Sequence, residues 1–147
     1  MKKTFFRITV VLGLAFLAAM QTVRAQEPVL VNIPFEFTAG RATLPAGEYR
    51  VQKPAVHSTM LLIQRTDQSA AAIVLSFATQ ANAPQTQSKL VFHRYGNRYF
   101  LSKVWIAGYS QGRELPQSNK EKEQALAASN ETRDQVTIVA RLIPPKR

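Results

Sequence analysis

The chain has 147 residues, with 19 Lys and Arg against 9 Asp and Glu, and it contains no cysteine. The absence of cysteine excludes disulfides, thiolate metal sites and a cysteine nucleophile. The net charge of +10 is scattered along the chain, which is typical of a solvated basic surface, so we expect no nucleic-acid partner.

The first 25 residues have the three parts of a secretory signal peptide. Lys2, Lys3 and Arg7 make a positively charged start, and an uncharged apolar run of 13 residues follows. This run is shorter than the roughly 20 residues that a membrane-spanning helix needs. Small residues then precede a cleavage position before Gln26. The pattern predicts a bacterial signal peptide over residues 1–25.

Cleavage would leave residues 26–147 as one exported domain, either periplasmic or secreted. Loss of four basic residues leaves 15 basic and 9 acidic residues, a net charge of +6. No second long apolar stretch follows, so we expect no integral membrane span after cleavage. An unknown envelope protein or ligand is the partner that this location predicts. A domain of this size can bury enough apolar surface to fold without disulfides.

The exported part begins with predicted strands. Residues 29–38 alternate apolar and polar side chains with period two, which indicates a half-buried strand. Pro34 cannot donate a ladder hydrogen bond, so it marks an edge or a local break. Residues 44–47, with Pro and Gly in turn positions, precede a predicted strand over residues 48–53.

Two further strands are predicted before a polar loop. Residues 59–65 form the first, and a turn at residues 67–69 leads to the second, over residues 70–78. A helix is the competing interpretation of the second segment because it is rich in alanine. Residues 80–88 are polar and predict a surface loop.

The segment from residue 89 to residue 108 predicts a long hairpin. Its strands meet at Gly96-Asn97, a pair suited to the positive φ of a two-residue turn. Both faces carry large apolar groups, so one face should meet an opposing sheet while the following helix, or a partner, covers the other. The turn predicts these opposite pairs: Phe92 with Leu101, His93 with Phe100, Val91 with Ser102 and Leu90 with Lys103.

After a glycine-rich loop over residues 108–116, Ser118 and Glu121 form a capping box that starts a helix. The helix is predicted to continue to Ala128, with a thin apolar face that rests on the protein surface.

Residues 135–143 predict a last strand, apolar enough on both faces to be inserted within a sheet. The whole pattern predicts a mainly β fold: a single-domain antiparallel β-sandwich or small barrel with one short α-helix in the C-terminal half, the sandwich being favoured.

Catalytic chemistry has little support in the sequence. His57 and His93 are the two histidines, and no paired-ligand motif accompanies them, so we predict no metal site and no cofactor. A Ser-His-acid set could combine His93 with Glu114 and either Ser102 or Ser110, but no G-x-S-x-G motif supports it. We assign no catalytic residue, and a hydrolase that uses His93 and Glu114 is kept as an alternative.

Binding is the better-supported function. Tyr, Trp and Arg dominate contact energies at interfaces, and six of them occur around the hairpin and the loop that leaves it. The predicted binding residues are Tyr95, Arg98, Tyr99, Trp105, Tyr109 and Arg113. The competing interpretation is that these rings pack one end of the sandwich. We therefore predict a non-enzymatic exported β-domain that binds a protein or ligand through this region. A carrier of small apolar ligands is a second alternative if the sheets close into a barrel.

Three runs of the sequence carry a family resemblance: VNIPFEFTAGRATLPAGEYRV, LVFHRYGNRYFLSKVW and GRELPQSNKEKE. They resemble a family of small exported bacterial proteins that is frequent in acidobacteria and has no assigned activity. The resemblance covers nearly all of the exported part. It implies export and a single β-rich domain, and it implies no site residues.

Overall fold

The computed structural model describes residues 28–128 and 133–143. The predicted signal peptide and the C-terminal residues 144–147 lie outside these ranges. Strands make up 53% of the structure and helix 8%, which confirms the mainly β prediction. The strands form two sheets that do not close into a barrel, so the sandwich is the fold that is present.

The residues that the structure describes form twelve strands and one helix. In chain order they are β1 (Val29–Ile33), β2 (Phe37–Ala39), β3 (Ala42–Leu44), β4 (Gly47–Gln52), β5 (Met60–Arg65), β6 (Ala71–Leu75), β7 (Phe77–Gln80), β8 (Lys89–Tyr95), β9 (Arg98–Trp105), β10 (Gln111–Glu114), α1 (Asn119–Ala127), β11 (Asp134–Val139) and β12 (Arg141–Leu142). The first sheet has the order β12-β1-β4-β5-β6. The second has the order β11-β8-β9-β10-β7, with β2 added beside β9 and β3 beside β2.

The core lies between the two sheets. Tyr49 and Ile63 of the first sheet are fully buried, as are Leu90 and Phe92 of the second. These side chains come from alternate positions of their strands, as period two requires. The inward face of the hairpin therefore meets the opposing sheet, as predicted.

Three predicted strands each divide between the two sheets. The first divides around Pro34, where β1 ends in one sheet and β2 continues in the other. The predicted strand over residues 70–78 divides at Ser76, between β6 and β7. The one over residues 135–143 divides at Ala140, between β11 and β12. The predicted insertion of the last strand was wrong, because β11 and β12 lie at the edges of the two sheets.

The hairpin register agrees with the prediction near the turn and departs from it farther out. Phe92 lies opposite Leu101 and His93 opposite Phe100, but Val91 lies opposite Lys103. The register shifts by one because Ser102 is an extra residue in β9, which makes a β-bulge. The predicted pairs of Val91 with Ser102 and of Leu90 with Lys103 were therefore wrong.

The predicted loop over residues 108–116 contains a strand, β10, that lies between β9 and β7. The helix starts as predicted, and Ser118 Oγ accepts a hydrogen bond of 3.1 Å from the Glu121 N–H. Leu126, part of the predicted apolar face, is 78% exposed, and Glu121 is the buried residue of α1. The helix therefore attaches to the sheet through a carboxylate.

Candidate functional site

The six predicted binding residues do not form one surface. Tyr95, Arg98 and Tyr99 lie at the turn end of the hairpin, and Trp105 lies at the far end of β9. Trp105 follows Arg98 by seven positions along the extended strand, which corresponds to roughly 20 Å. Tyr95 and Trp105 are also buried, with 6% and 8% of their surfaces exposed.

Tyr95 belongs to a buried polar cluster beneath the helix. Its hydroxyl donates a hydrogen bond of 3.2 Å to Glu121 Oε1, and His93 Nδ1 lies 2.7 Å from the same oxygen. Burial raises the pKa of the Tyr95 hydroxyl, and the nearby Glu121 carboxylate adds to this effect. We call Tyr95, His93 and Glu121 the carboxylate cluster. It joins α1 to β8, so Tyr95 serves packing in this structure.

Glu121 was predicted to complete the capping box, and only half of that arrangement is present. Ser118 caps the Glu121 N–H, but the Glu121 side chain turns toward His93 and Tyr95. The S-x-x-E spacing correctly located the start of the helix. It could not show the contact with His93, which lies 28 residues away along the chain.

Trp105 packs on the backbone of β10. A Cβ atom on Gly112 would lie 2.5 Å from Trp105 Cε3, closer than such atoms can approach, so the indole ring occupies the space that glycine leaves open. Gly112 itself is buried and pairs with Thr79 of β7. The ring thus helps to hold β10 in the sheet.

Arg113 links the two sheets. Its Nε donates a hydrogen bond of 2.9 Å to Ser76 Oγ, and its Nη2 donates one of 2.6 Å to the Ser76 carbonyl. Ser76 Oγ in turn donates to the Thr59 carbonyl at 2.8 Å. Because these bonds engage its guanidinium at the corner between β6 and β7, Arg113 has a structural role there.

Arg98, Tyr99 and Tyr109 keep accessible surface. Tyr109 is 55% exposed in the loop after β9. Tyr99 is half-buried and stacks on Phe35, with the ring centroids 3.8 Å apart and the planes 14° from parallel. Arg98 is exposed beside it.

An open cleft of about 470 Å³ lies between the hairpin turn and the helix. We call it the hairpin-tip cleft and define it by Phe35, Glu36, Arg98, Tyr99 and Glu123, which line it. Aromatic rings and charged side chains of both signs thus meet in one concave surface. Lys120 also lines the cleft.

A second cavity, of about 270 Å³, adjoins the carboxylate cluster. His93, Ser102 and Glu114, the residues of the hydrolase alternative, all line it. The partner of His93, however, is Glu121 rather than Glu114. Within residues 28–128 and 133–143 no hydrogen bond joins His93 to Ser102, and no group of three His, Asp or Glu side chains is arranged to hold a metal ion.

A small cavity lies between the two sheets. The cavity bounded by Val29, Val51, Leu61 and Val104 has a volume of about 10 Å³. A small apolar ligand needs a pocket of about 300 Å³ or more. This cavity of the sandwich interior is therefore too small to hold such a ligand.

No family model matches the chain, and no curated protein or solved structure is significantly similar to it. In the part of the chain that the structure describes, no helix has the length and apolar content to cross a bilayer.

Proposed function

We propose that this chain is a non-enzymatic, exported binding domain that holds an envelope protein or ligand in the hairpin-tip cleft. Arg98 and Tyr99 are members of the predicted binding set that remain accessible, and they line the same concave surface as residues of β2, its preceding segment and α1. This convergence is the observation that carries the proposal. Pockets of roughly 300–1,000 Å³ with a few placed polar groups are the usual form of a binding site.

Export is part of the proposal and rests on the signal-peptide pattern of residues 1–25 and on the family resemblance.

The chemistry of the cleft favours an amphipathic partner. Phe35 and Tyr99 offer apolar ring surface, while Arg98, Glu36 and Glu123 offer both signs of charge. A partner with an apolar group flanked by polar or charged groups would satisfy both features.

The test compares capture of native envelope components by the wild-type chain and by an Arg98→Ala, Glu123→Ala double variant. Both side chains are exposed, so the fold should survive their removal. We expect the double variant to recover a specific partner at least about tenfold less efficiently. The charge-matched control, Arg50→Ala with Asp134→Ala, removes one exposed basic and one exposed acidic side chain outside the cleft and should recover it normally. Equal recovery by all three proteins would contradict the proposal.

A hydrolase is the second candidate, because His93, Ser102 and Glu114 line one cavity and His93 is oriented by a carboxylate. In this candidate Glu121 would orient His93 as the base, and Ser102, which shares the cavity but has no hydrogen bond to His93 in the described structure, would be the nucleophile. An ester-hydrolysis rate that disappears in Ser102→Ala, with the fold intact, would favour this candidate over the binding domain.

A further inference from the structure

The strand β6 is one edge of the first sheet. Among the residues that the structure describes, it pairs with β5 alone. The Arg65 N–H bonds to the Ala70 carbonyl at 2.8 Å, and the Ser76 N–H bonds to the Thr59 carbonyl at 2.7 Å. In an antiparallel pair the bonded residues alternate, so the even-numbered residues of β6 turn their backbone groups toward β5.

The odd-numbered residues of β6 therefore turn their N–H and C=O groups toward the open edge. These are Ala71, Ile73 and Leu75, and no backbone hydrogen bond joins them to another residue in the described ranges. Their side chains lie on the outer face of the sheet, where Ile73 is 63% and Leu75 45% exposed.

In the described part of the chain, the side chains of this edge offer no protection against pairing. Natural edge strands carry Lys, Pro, bulges or inward-pointing charges that block the addition of another strand. The run from Ala71 to Leu75 contains alanine, isoleucine, valine and leucine, without a charge or a proline. At the opposite edge of the same sheet, β12 carries Arg141. Within the first sheet, β6 is thus the edge strand that lacks a charged side chain.

An open groove of about 710 Å³ runs beside β6. The turn between β2 and β3 lines it, and so does the segment from Leu115 to Lys120. Most lining residues are apolar or uncharged. The charged ones are Arg41 and Lys120, both basic and both exposed, and no acid lines the groove.

We propose that β6 binds an extended peptide segment of a partner protein, which adds as a further strand and carries acidic side chains toward Arg41 and Lys120. The outward backbone groups of β6 supply main-chain hydrogen bonds, and the apolar groove receives alternate side chains of the peptide. The basic rim selects acidic residues by charge complementarity. This site is separate from the hairpin-tip cleft, although Lys120 lines both, so the proposal does not rest on the function proposed above.

A second copy of the chain is a poorer occupant than an acidic peptide. Pairing of two β6 strands would bring together two grooves whose charged linings are entirely basic. Like charges that meet across an interface disfavour association. An acidic peptide would instead neutralise the positive charge of the groove.

The test measures binding of fluorescent peptides to the full chain by fluorescence anisotropy. The probe has about seven residues, alternates valine with threonine, and carries aspartate at both ends. Matched probes carry lysine at both ends, or a central proline that prevents strand pairing. We expect the aspartate probe to bind at least about tenfold more tightly than either.

Two variants locate the site. Ile73→Pro removes an outward N–H without removing a bond to β5, and proline is tolerated at edge positions of this kind. It should weaken binding of the aspartate probe at least about tenfold, whereas Ile73→Val should retain it. Arg41→Glu should reduce or reverse the preference for aspartate over lysine ends, whereas Arg50→Glu, which changes an exposed residue outside both sites, should leave it unchanged.

Three results would overturn the proposal. One is equal binding of the aspartate and lysine probes, and another is unchanged binding by a folded Ile73→Pro variant. The third is a wild-type dimer in light scattering that Ile73→Pro converts to a monomer, since β6 would then belong to a second copy. If Ile73→Pro does not fold, an unchanged probe preference in Arg41→Glu overturns the proposal, and a reduced or reversed preference supports it.

Discussion

Gly112 shows how one small residue fixes the position of a large one. The ring of Trp105 lies where a side chain on residue 112 would be, and the Val104 carbonyl would be only 2.8 Å from an added Cβ. Glycine in a strand commonly marks such a close approach. In the sequence the same glycine indicated a loop, because two glycines and a proline lie within nine residues. The strand β10 could not be predicted for this reason.

We expect Gly112→Ala to lower the free energy of unfolding by about 1–3 kcal/mol, because the new methyl group overlaps the Trp105 ring. Urea denaturation followed by circular dichroism measures the change. Combining Gly112→Ala with Trp105→Leu should cost less than the sum of the two single changes, since the smaller side chain leaves room. Strict additivity would show that the ring does not restrict residue 112.

At the scale of the elements, α1 depends on one buried carboxylate. Glu121 contacts His93 and Tyr95 of β8, while the apolar Leu126 of the same helix stays exposed. Hydrophobic patterning therefore failed for Leu126, although Ala125 and Ala128 of the predicted face are half-buried and the capping signal correctly identified the start of the helix. A contact that joins distant segments through polar groups has no local sequence pattern.

Glu121→Ala should lower the free energy of unfolding by about 1–3 kcal/mol, because it leaves two buried polar groups without their partner. Amide exchange in α1 should accelerate more than exchange in β8 and β9, since the helix loses its attachment. Glu123→Ala, an exposed change on the same helix, should alter stability by less than about 0.5 kcal/mol. Equal effects of the two changes would contradict a docking role for Glu121.

Strand alternation predicted most elements and concealed the sheet changes. Val31 and Ile33 of β1 face the core, and so do Phe37 and Ala39 of β2, all at odd positions. A strand that passes from one sheet of a sandwich to the other keeps the same parity toward the interior. Period two continues through the corner, so it cannot show where one strand ends. The hairpin turn, in contrast, fixed the register as far as the bulge at Ser102.

At the scale of the whole molecule, buried tyrosines contribute to the response of stability to alkaline pH. Burial raises the pKa of both Tyr49 and Tyr95, and the Tyr49 hydroxyl donates a hydrogen bond of 2.6 Å to the Pro45 carbonyl. Above pH about 10 the unfolded tyrosines lose protons that the folded protein retains. The unfolded state then binds fewer protons, so stability falls as the pH rises.

We expect the free energy of unfolding to decline from pH about 10 upward, toward the raised pKa values of the folded state. Tyr49→Phe should cost about 1 kcal/mol at neutral pH through the lost hydrogen bond, and it should make the alkaline decline shallower. Tyr109→Phe changes an exposed ring and should keep the wild-type profile. Parallel profiles for wild type and Tyr49→Phe would contradict this account.

The strands that pass between the sheets also affect how the domain unfolds. Because three continuous segments, around Pro34, Ser76 and Ala140, each belong to both layers, neither layer can peel away without breaking the other's hydrogen bonds. Arg113 adds side-chain hydrogen bonds at one of these crossings, to Ser76. The two layers should accordingly lose structure in a single cooperative transition, and no half-sandwich should accumulate along the way.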